Sequence, residues 1–434
     1  MLRRKVTEQL KYWVEHKDRK CLLVQGARQT GKTFIIEKFA QQEYEEYVEI
    51  NFKQNPSAAD IFSGDFDVDS MVRALRFRFP DKKILPGNTL IFIDEIQECE
   101  EAITSLKFWA TDNRYDVIAS GSLLGIDYKR ASSYPVGYVD YIKMYSLDFE
   151  EFLWGLGLSD ELIDSLNTYV EQKKPIPDSI HRQMMEYYRT YIAIGGMPEA
   201  VQKYIDTKDF MEVDKVQHSL LQGYQYDIAH YATAQEKVKA EKSYLTLGRQ
   251  LLDKENHKFQ YKEIEKGARA QKYYSSIDWL LRADMIHLCN NVSTIKYDLS
   301  DYAQDDFFRA YTTDLSLLMA MKDFSLKQHI VENTMTVYTS KGIYECAVAD
   351  ALYKKGIPLY FYKNNSKQTI DFLIQLDGKV IPIEVKGSNS KPKSLNTLIE
   401  NNSEIDISYK LIDRNICTNE KGNITLPLYM VSFL

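Results

Sequence analysis

Apolar positions along the chain change period several times, and each change marks an element. Val6, Leu10, Trp13 and Val14 recur at helical spacing, so residues 5–16 predict a short amphipathic helix. "KCLLVQG" reads as a buried strand, "ARQTGKT" as a loop and "TFIIEKFAQQ" as a helix. "YVEINF" predicts a second strand, "MVRALRFRF" a helix, and "NTLIFIDEIQ" a third strand that stays apolar until its C-terminal end. "AITSLKFWATDN" then reads as a helix, "YDVIASGS" as a fourth strand and "GYVDYIKMY" as the next one. Continuous apolar strands suit a parallel sheet covered on both faces. Their alternation with helices predicts an α/β fold, a three-layer sheet with right-handed crossovers.

From about residue 147 the pattern turns helical, as in "DFEEFLWGLGL", "MMEYYRTYIAIGG" and "DFMEVDKVQHSLLQGYQYDIAHY". Residues 240–290 have short helices at bundle spacing and end in "YYSSIDWLLRADMIHLC", an order compatible with a winged-helix-like unit. A helix at "IYECAVADALYKKG" and strands "LYFYK", "TIDFLIQL" and "KVIPIEVKG" restore a mixed α/β pattern from about 335. The expected domains are therefore 1–145 (α/β), 146–235 (helical), 236–334 (winged-helix-like) and 335–434 (α/β). No internal repeat or low-complexity tract interrupts them.

Composition changes this picture little. The 434 residues are 44% hydrophobic and 27% charged, ordinary for a globular protein able to bury sizeable cores. A net charge of −7 excludes a globally basic nucleic-acid coat. The acidity is concentrated in residues 151–230, with 7 Lys/Arg against 13 Asp/Glu, so it says little about the C-terminal half. The five cysteines (Cys21, Cys99, Cys289, Cys346, Cys417) are scattered, with no CxxC pair. That suits a reducing compartment and small buried side chains. The charged N-terminus lacks the apolar core of a signal peptide, and no window is apolar enough to span a membrane. A cytoplasmic protein with no membrane partner is expected. The seven histidines form no metal-binding spacing, and Met197-Pro198-Glu199 after Gly195-Gly196 reads as a tight turn and helix start.

Candidate chemistry sharpens the reading more. Gly26-Ala27-Arg28-Gln29-Thr30-Gly31-Lys32-Thr33 fits GxxxxGK[ST], with an apolar strand before it and a helix after it. Glycines let backbone N–H groups close around phosphate oxygens, and the helix N-terminus adds a positive dipole end. Lys32 is expected to reach the β- and γ-phosphates of ATP, and the Thr33 hydroxyl to ligate Mg²⁺. Asp94 ends the third strand and would hold Mg²⁺ through water, while Glu95 would polarise the attacking water. Ser120 or Ser122, ending the fourth strand, could touch the γ-phosphate or that water. Lys129 and Arg130 follow, and an arginine there can reach a neighbouring subunit's γ-phosphate in oligomeric ATPases.

A second constellation lies near the C-terminus. Asp377-Gly378 separates two β-rich runs, a strong two-residue hairpin signal. Pairing Leu376 with Lys379 puts Ile374 opposite Ile381, Phe372 opposite Ile383 and Ile370 opposite Val385. On the other face Asp371 falls opposite Glu384, and Thr369 opposite Lys386. Two facing carboxylates repel unless a cation or proton neutralises them. Mg²⁺ would do so, with Glu345 of the preceding helix as a third carboxylate and Lys386 orienting a water or phosphate. This is the Asp…Glu-x-Lys pattern of restriction-type nucleases; the alternative is a polar sheet face with Lys386 as counterion.

Taken together, "QGARQTGKT", "LIFIDEIQ", "ASGSLLG", "SSYPVGYVDYIKMYSLDFEEFL", "IGGMPEAV", "GIYECAVADAL", "IDFLI" and "PIEVKGS" resemble a known family. These are the bacterial and archaeal AAA-superfamily ATPases with a C-terminal domain of unknown function. The resemblance implies an AAA-type module, a helical and winged-helix-like middle and a restriction-endonuclease-like C-terminal core. It carries nucleotide-binding roles to Gly26, Gly31, Lys32, Thr33, Asp94 and Glu95, and nuclease-like roles to Glu345, Asp371, Glu384 and Lys386. The chain departs from it at Tyr138, where many relatives carry a basic residue, and at Thr369, where relatives often carry an acidic one. The leading expectation is a Mg²⁺-dependent ATPase whose nucleotide state controls the C-terminal domain. The alternatives are an ATP-gated nuclease for DNA or RNA, and a non-hydrolysing switch that binds nucleic acid or a protein; an oligomer is compatible with each.

Overall fold

A computed structural model describes residues 2–16, 20–122, 135–252, 258–364, 368–387, 393–402, 405–418 and 423–434. They form two compact units. One comprises Arg4–Tyr145 with Arg282–Asp284; the other comprises Met1–Arg3, Ser146–Leu281 and Met285–Leu434.

The first unit runs α1 (Val6–Glu15), β1 (Cys21–Gly26), α2 (Lys32–Glu43), β2 (Glu46–Asn51), α3 (Val68–Arg78), β3 (Thr89–Asp94), α4 (Glu100–Asp112), β4 (Asp116–Ser122) and β5 (Val139–Lys143). All neighbouring strands are parallel, in the order β2-β3-β4-β1-β5. Successive residues of a strand point to opposite faces, so each apolar run feeds two cores. Leu22, Val24, Leu90, Phe92 and Ile118 pack with Leu10, Trp13, Ile36 and Phe39 of α1 and α2. Leu23, Ile91, Ile93, Val117 and Ala119 pack with Met71, Leu75, Leu106 and Trp109 of α3 and α4. Every residue of β3 and β4 is buried. The α/β expectation for this region thus takes the form of a five-stranded parallel sheet with a helical layer on each face.

The second unit begins with helices α5 (Phe149–Gly155), α6 (Asp160–Glu171), α7 (Asp178–Ile194), α8 (Pro198–Thr207), α9 (Phe210–Tyr231), α10 (Lys237–Gln250) and α11 (Ala270–Arg282). Then come β6 (Ile286–Val292), β7 (Ala303–Thr312), α12 (Leu315–Ala320), α13 (Phe324–Val331) and α14 (Val337–Lys354). The chain ends with β8 (Leu359–Lys363), β9 (Thr369–Leu376), β10 (Lys379–Val385), α15 (Lys393–Asn401), β11 (Ser408–Ile412), β12 (Cys417–Thr418) and β13 (Asn423–Pro427). These strands form one mixed sheet, β12-β13-β11-β10-β9-β8-β6-β7. The β6–β7 pair follows the helices α10 and α11, yet β6 pairs parallel with β8. The sheet therefore crosses the position near residue 335 where the sequence pattern alone suggests a change of domain.

Around Gly195-Gly196 the turn is shaped by packing. A Cβ on Gly195 would lie 2.1 Å from the Ser316 nitrogen, and one on Gly196 2.0 Å from the Leu147 carbonyl oxygen. Pro198 then takes the first turn of α8, where its missing N–H costs nothing. The Asp314 carboxylate accepts from Gly196 N at 3.0 Å and pairs with Lys354 Nζ at 2.8 Å. Lys354 also donates to Tyr191 Oη at 2.9 Å and the Leu147 carbonyl at 3.0 Å, and pairs with Asp350 at 2.8 Å. Burial pushes the Asp350 carboxyl up, to about 7, despite the adjacent ammonium. All five cysteines are free thiols; four are buried and Cys417 is exposed, so the expectation of small buried side chains fails at that last position.

Candidate functional site

The phosphate loop lies between β1 and α2, as its glycine spacing requires. Gly31 caps α2 at φ +90°, a left-handed conformation that glycine adopts without steric cost. Gln29 is also left-handed, at φ +63°. Gly26 is needed for a different reason: a Cβ there would lie 2.1 Å from the Met144 carbonyl oxygen. Thr30 is buried and its hydroxyl donates to the Ala27 carbonyl at 3.0 Å, holding the loop across Arg28 and Gln29. Lys32 Nζ donates inward, to the carbonyls of Gly26 at 3.0 Å and Ala27 at 2.8 Å. Burial lowers its pKa to about 8, although Glu95 and Asp94 nearby pull the other way.

The carboxylates assemble at the same sheet edge because β1, β2, β3 and β4 all end there. In the register Asn51 pairs with Asp94, and Gly26 with Ser122. The buried Asp94 accepts from Thr33 Oγ1 at 2.9 Å and Asn51 Nδ2 at 2.9 Å, and from the Ser120 hydroxyl. Thr33 and Asp94 are thus adjacent. Ser120 is directed to Asp94, because β4 lies beside β3 and brings its hydroxyl to the aspartate. Ser122 is buried at the same edge. Glu95 is left-handed at φ +53° and pairs with Lys53 at 2.9 Å, with Gln97 as a further donor. Burial pushes the Glu95 carboxyl up, but Lys53, Gln97 and Lys32 together outweigh it, and the net shift is downward. Lys129 and Arg130 lie outside the described residues.

Sequence reasoning missed four residues here: Asn51, Lys53, Gln97 and Arg4. Asn51 was findable as a polar residue ending an apolar strand, the same signal that marks Asp94. Arg4 carried none. Its guanidinium bridges the Thr30 carbonyl at 3.0 Å and the Tyr145 carbonyl at 2.6 Å, tying the phosphate loop to the segment after β5.

In the second unit the hairpin register is observed: Leu376 pairs with Lys379, Ile374 with Ile381 and Phe372 with Ile383. The paired register ends there; Asp371 and Glu384 follow on their strands, and both are buried, as is Glu345. The three carboxylates have cations of the protein's own. Lys341 Nζ lies 3.1 Å from Glu345 and 3.4 Å from Asp371, Arg309 lies 3.7 Å from Glu345, and Lys386 lies 2.6 Å from Glu384. Asp371 also accepts from Val385 N at 2.9 Å. Each of the carboxylates expected at this site, Glu345, Asp371 and Glu384, thus has a lysine or arginine beside it, with Lys386 on Glu384. Among the described residues no three His, Cys, Asp or Glu side chains are grouped to hold a metal ion. Lys341, one helical turn before Glu345, enters between two of the carboxylates.

Residues 18–153 match the family described as AAA domain. The sheet, the loop and this match together define the first unit as a P-loop ATPase domain of AAA type. Residues 185–328 match a domain of unknown function (DUF8612), and residues 340–429 a second one (DUF4143). No curated protein matches the chain. Among solved structures it is similar to a Walker-type ATPase of Pyrococcus abyssi, at 13% identity over 74% of this chain and 96% of that one, TM-score 0.43. It is also similar to the Aeropyrum pernix ORC1 protein in complex with DNA, at 10% identity over 76% and 90%, TM-score 0.28. A closed-state reconstruction of Hsp104 with ATPγS and casein matches at 14% identity over 56% and 50%, TM-score 0.29. No helix among the described residues is long and apolar enough to cross a membrane.

Proposed function

We propose that the protein binds ATP with Mg²⁺ in the loop Gly26–Thr33 and hydrolyses it, and that nucleotide state controls the C-terminal half. The observation that carries the reading is Lys32. Its amine sits inside the loop, where among the described residues it donates to loop carbonyls that a phosphate can replace. Thr33 and Asp94 would hold Mg²⁺, which would draw charge from the β- and γ-phosphates. Glu95 would orient the attacking water once released from Lys53. Asn51 and Ser120 fix Asp94, and Arg130 is proposed to act from a neighbouring subunit.

Support for control comes from the chain's path out of the domain. Met144 N donates to the Gln25 carbonyl at 2.7 Å, and Arg4 links Thr30 to Tyr145. The next residues are anchored as well: Ser146 Oγ donates to Asp314 at 2.6 Å, and Leu147 N to the Gly196 carbonyl at 2.7 Å. A shift in the loop on nucleotide binding would thus be felt by a short segment tethered at both ends. The restriction-nuclease-like and winged-helix-like readings stay part of this proposal, with DNA, RNA or a protein as partner. The self-neutralised carboxylates favour a partner-binding module over a metal-dependent nuclease.

Lys32→Ala should abolish nucleotide binding, and Glu95→Gln should bind ATP with near-normal affinity but lose turnover. Unchanged affinity in Lys32→Ala would refute the site. Turnover measured with and without DNA, RNA or cell extract identifies the partner class by which of them stimulates it.

A further inference from the structure

The carboxylates on the β9–β10 hairpin are those a divalent ion would bridge, and two observations argue that none does. The first is the placement of cations. Lys341 Nζ reaches both Glu345 and Asp371, at 3.1 and 3.4 Å, which is where a shared ion would sit. Arg309 backs the same pair from β7: its side chain is buried, 3.7 Å from Glu345 and 4.5 Å above the Phe361 ring. Lys386 takes one oxygen of Glu384. Three buried carboxylates thus face three cations.

The second observation is packing. A Cβ on Gly387 would lie 2.5 Å from the Val337 carbonyl, 2.5 Å from Ser340 Oγ and 2.8 Å from Lys341 N. The first turns of α14 therefore press on the chain directly after β10. Ser340 Oγ donates to the Gly387 carbonyl at 3.2 Å and closes that contact. Helix α14 thus delivers Lys341 to the carboxylates and fills space beside them. Glu384 keeps one buried oxygen without a hydrogen-bond partner, and burial pushes its carboxyl up, towards the neutral form. One such oxygen is a poor substitute for a bridging pair.

We propose that Lys341, backed by Arg309, stands where a divalent ion would otherwise be held, so that the carboxylate cluster is a metal-independent clamp joining α14 to the β9–β10 hairpin. The inference concerns the second unit alone and does not depend on the ATP reading. Buried carboxylates need a partner charge, and a lysine fixed by its own helix supplies it without a dissociable ligand. Taking that lysine away should recreate a vacancy for a cation.

The test is Mn²⁺ binding to the full-length, nucleotide-free protein, followed by electron paramagnetic resonance. An Asp94→Asn substitution in every sample silences the phosphate-loop site. The parent should show no ion that Asp371→Asn removes. Lys341→Met should gain one bound Mn²⁺ per chain, lost again when Asp371→Asn is added, while Lys341→Arg should stay metal-free. A parent that already binds an Asp371-dependent ion overturns the proposal. So does a folded Lys341→Met protein that gains none. If Lys341→Met does not fold, Lys341→Gln, whose amide can still donate to the carboxylates, takes its place with the same readout.

Discussion

Raising the pH from 7 to 9.5 should weaken nucleotide binding through one group, Lys32. In the free loop its half-buried side chain donates to carbonyl acceptors, and desolvation brings its pKa down to about 8. Bound phosphates would raise it again. Binding therefore takes up a proton wherever the pH lies above the free value and below the bound one. The sign follows: affinity is full below about pH 8 and falls as pH rises through 8, by at most tenfold per unit. With a free pKa of 8, Kd should rise about fourfold by pH 8.5 and about thirtyfold by pH 9.5, relative to pH 7. The diphosphate of ADP is fully ionised over the upper part of this range and adds no slope of its own. The assay is fluorescence titration with a labelled ADP, with thermal melts at each pH to show that the fold persists. Lys32→Arg keeps its charge throughout, so whatever affinity it retains should be flat with pH. A flat wild-type profile to pH 9.5, or the same slope in Lys32→Arg, would show that the loop does not hold a depressed lysine against phosphate.

Three further outcomes follow from particular contacts. Gly26→Ala drives a methyl into the Met144 carbonyl, so nucleotide affinity should drop at least tenfold while far-ultraviolet circular dichroism stays unchanged. Lys354→Met leaves Asp314 and Asp350 buried without their cation, which should destabilise the second unit by about 3–5 kcal/mol in urea melts. Phe372→Ala removes a fully buried ring from β9 and should cost about 3–5 kcal/mol on the same assay, with ATP binding intact.

Much of the ATPase unit is legible in the chain because its signals are local. An apolar strand, a glycine-spaced loop and a helix start are contiguous, so Gly26, Gly31, Lys32 and Thr33 reveal themselves together. Asp94 is legible too, since a parallel strand buried on both faces can carry a carboxylate only at its end. The hairpin register follows from Asp377-Gly378 alone, because a two-residue turn leaves no freedom in pairing. What the sequence left open is which residues meet from distant segments. The repulsion between Asp371 and Glu384 is visible in the pattern; the cation that answers it is not.

The sequence by itself determined the period of each element, the phosphate loop and the register of the hairpin next to its turn, all of which depend on neighbours a few positions apart. Only the tertiary structure decided that Asn51 and Ser120 both turn to Asp94, and that Arg4 ties the loop to Tyr145. It also decided that Lys341 lies beside both Glu345 and Asp371, with Arg309 3.7 Å from Glu345. The reason is physical: a buried charge is satisfied by whatever opposite charge packing brings within about 4 Å. Strand order and helix docking set that distance, and neither is written in the spacing of residues along the chain.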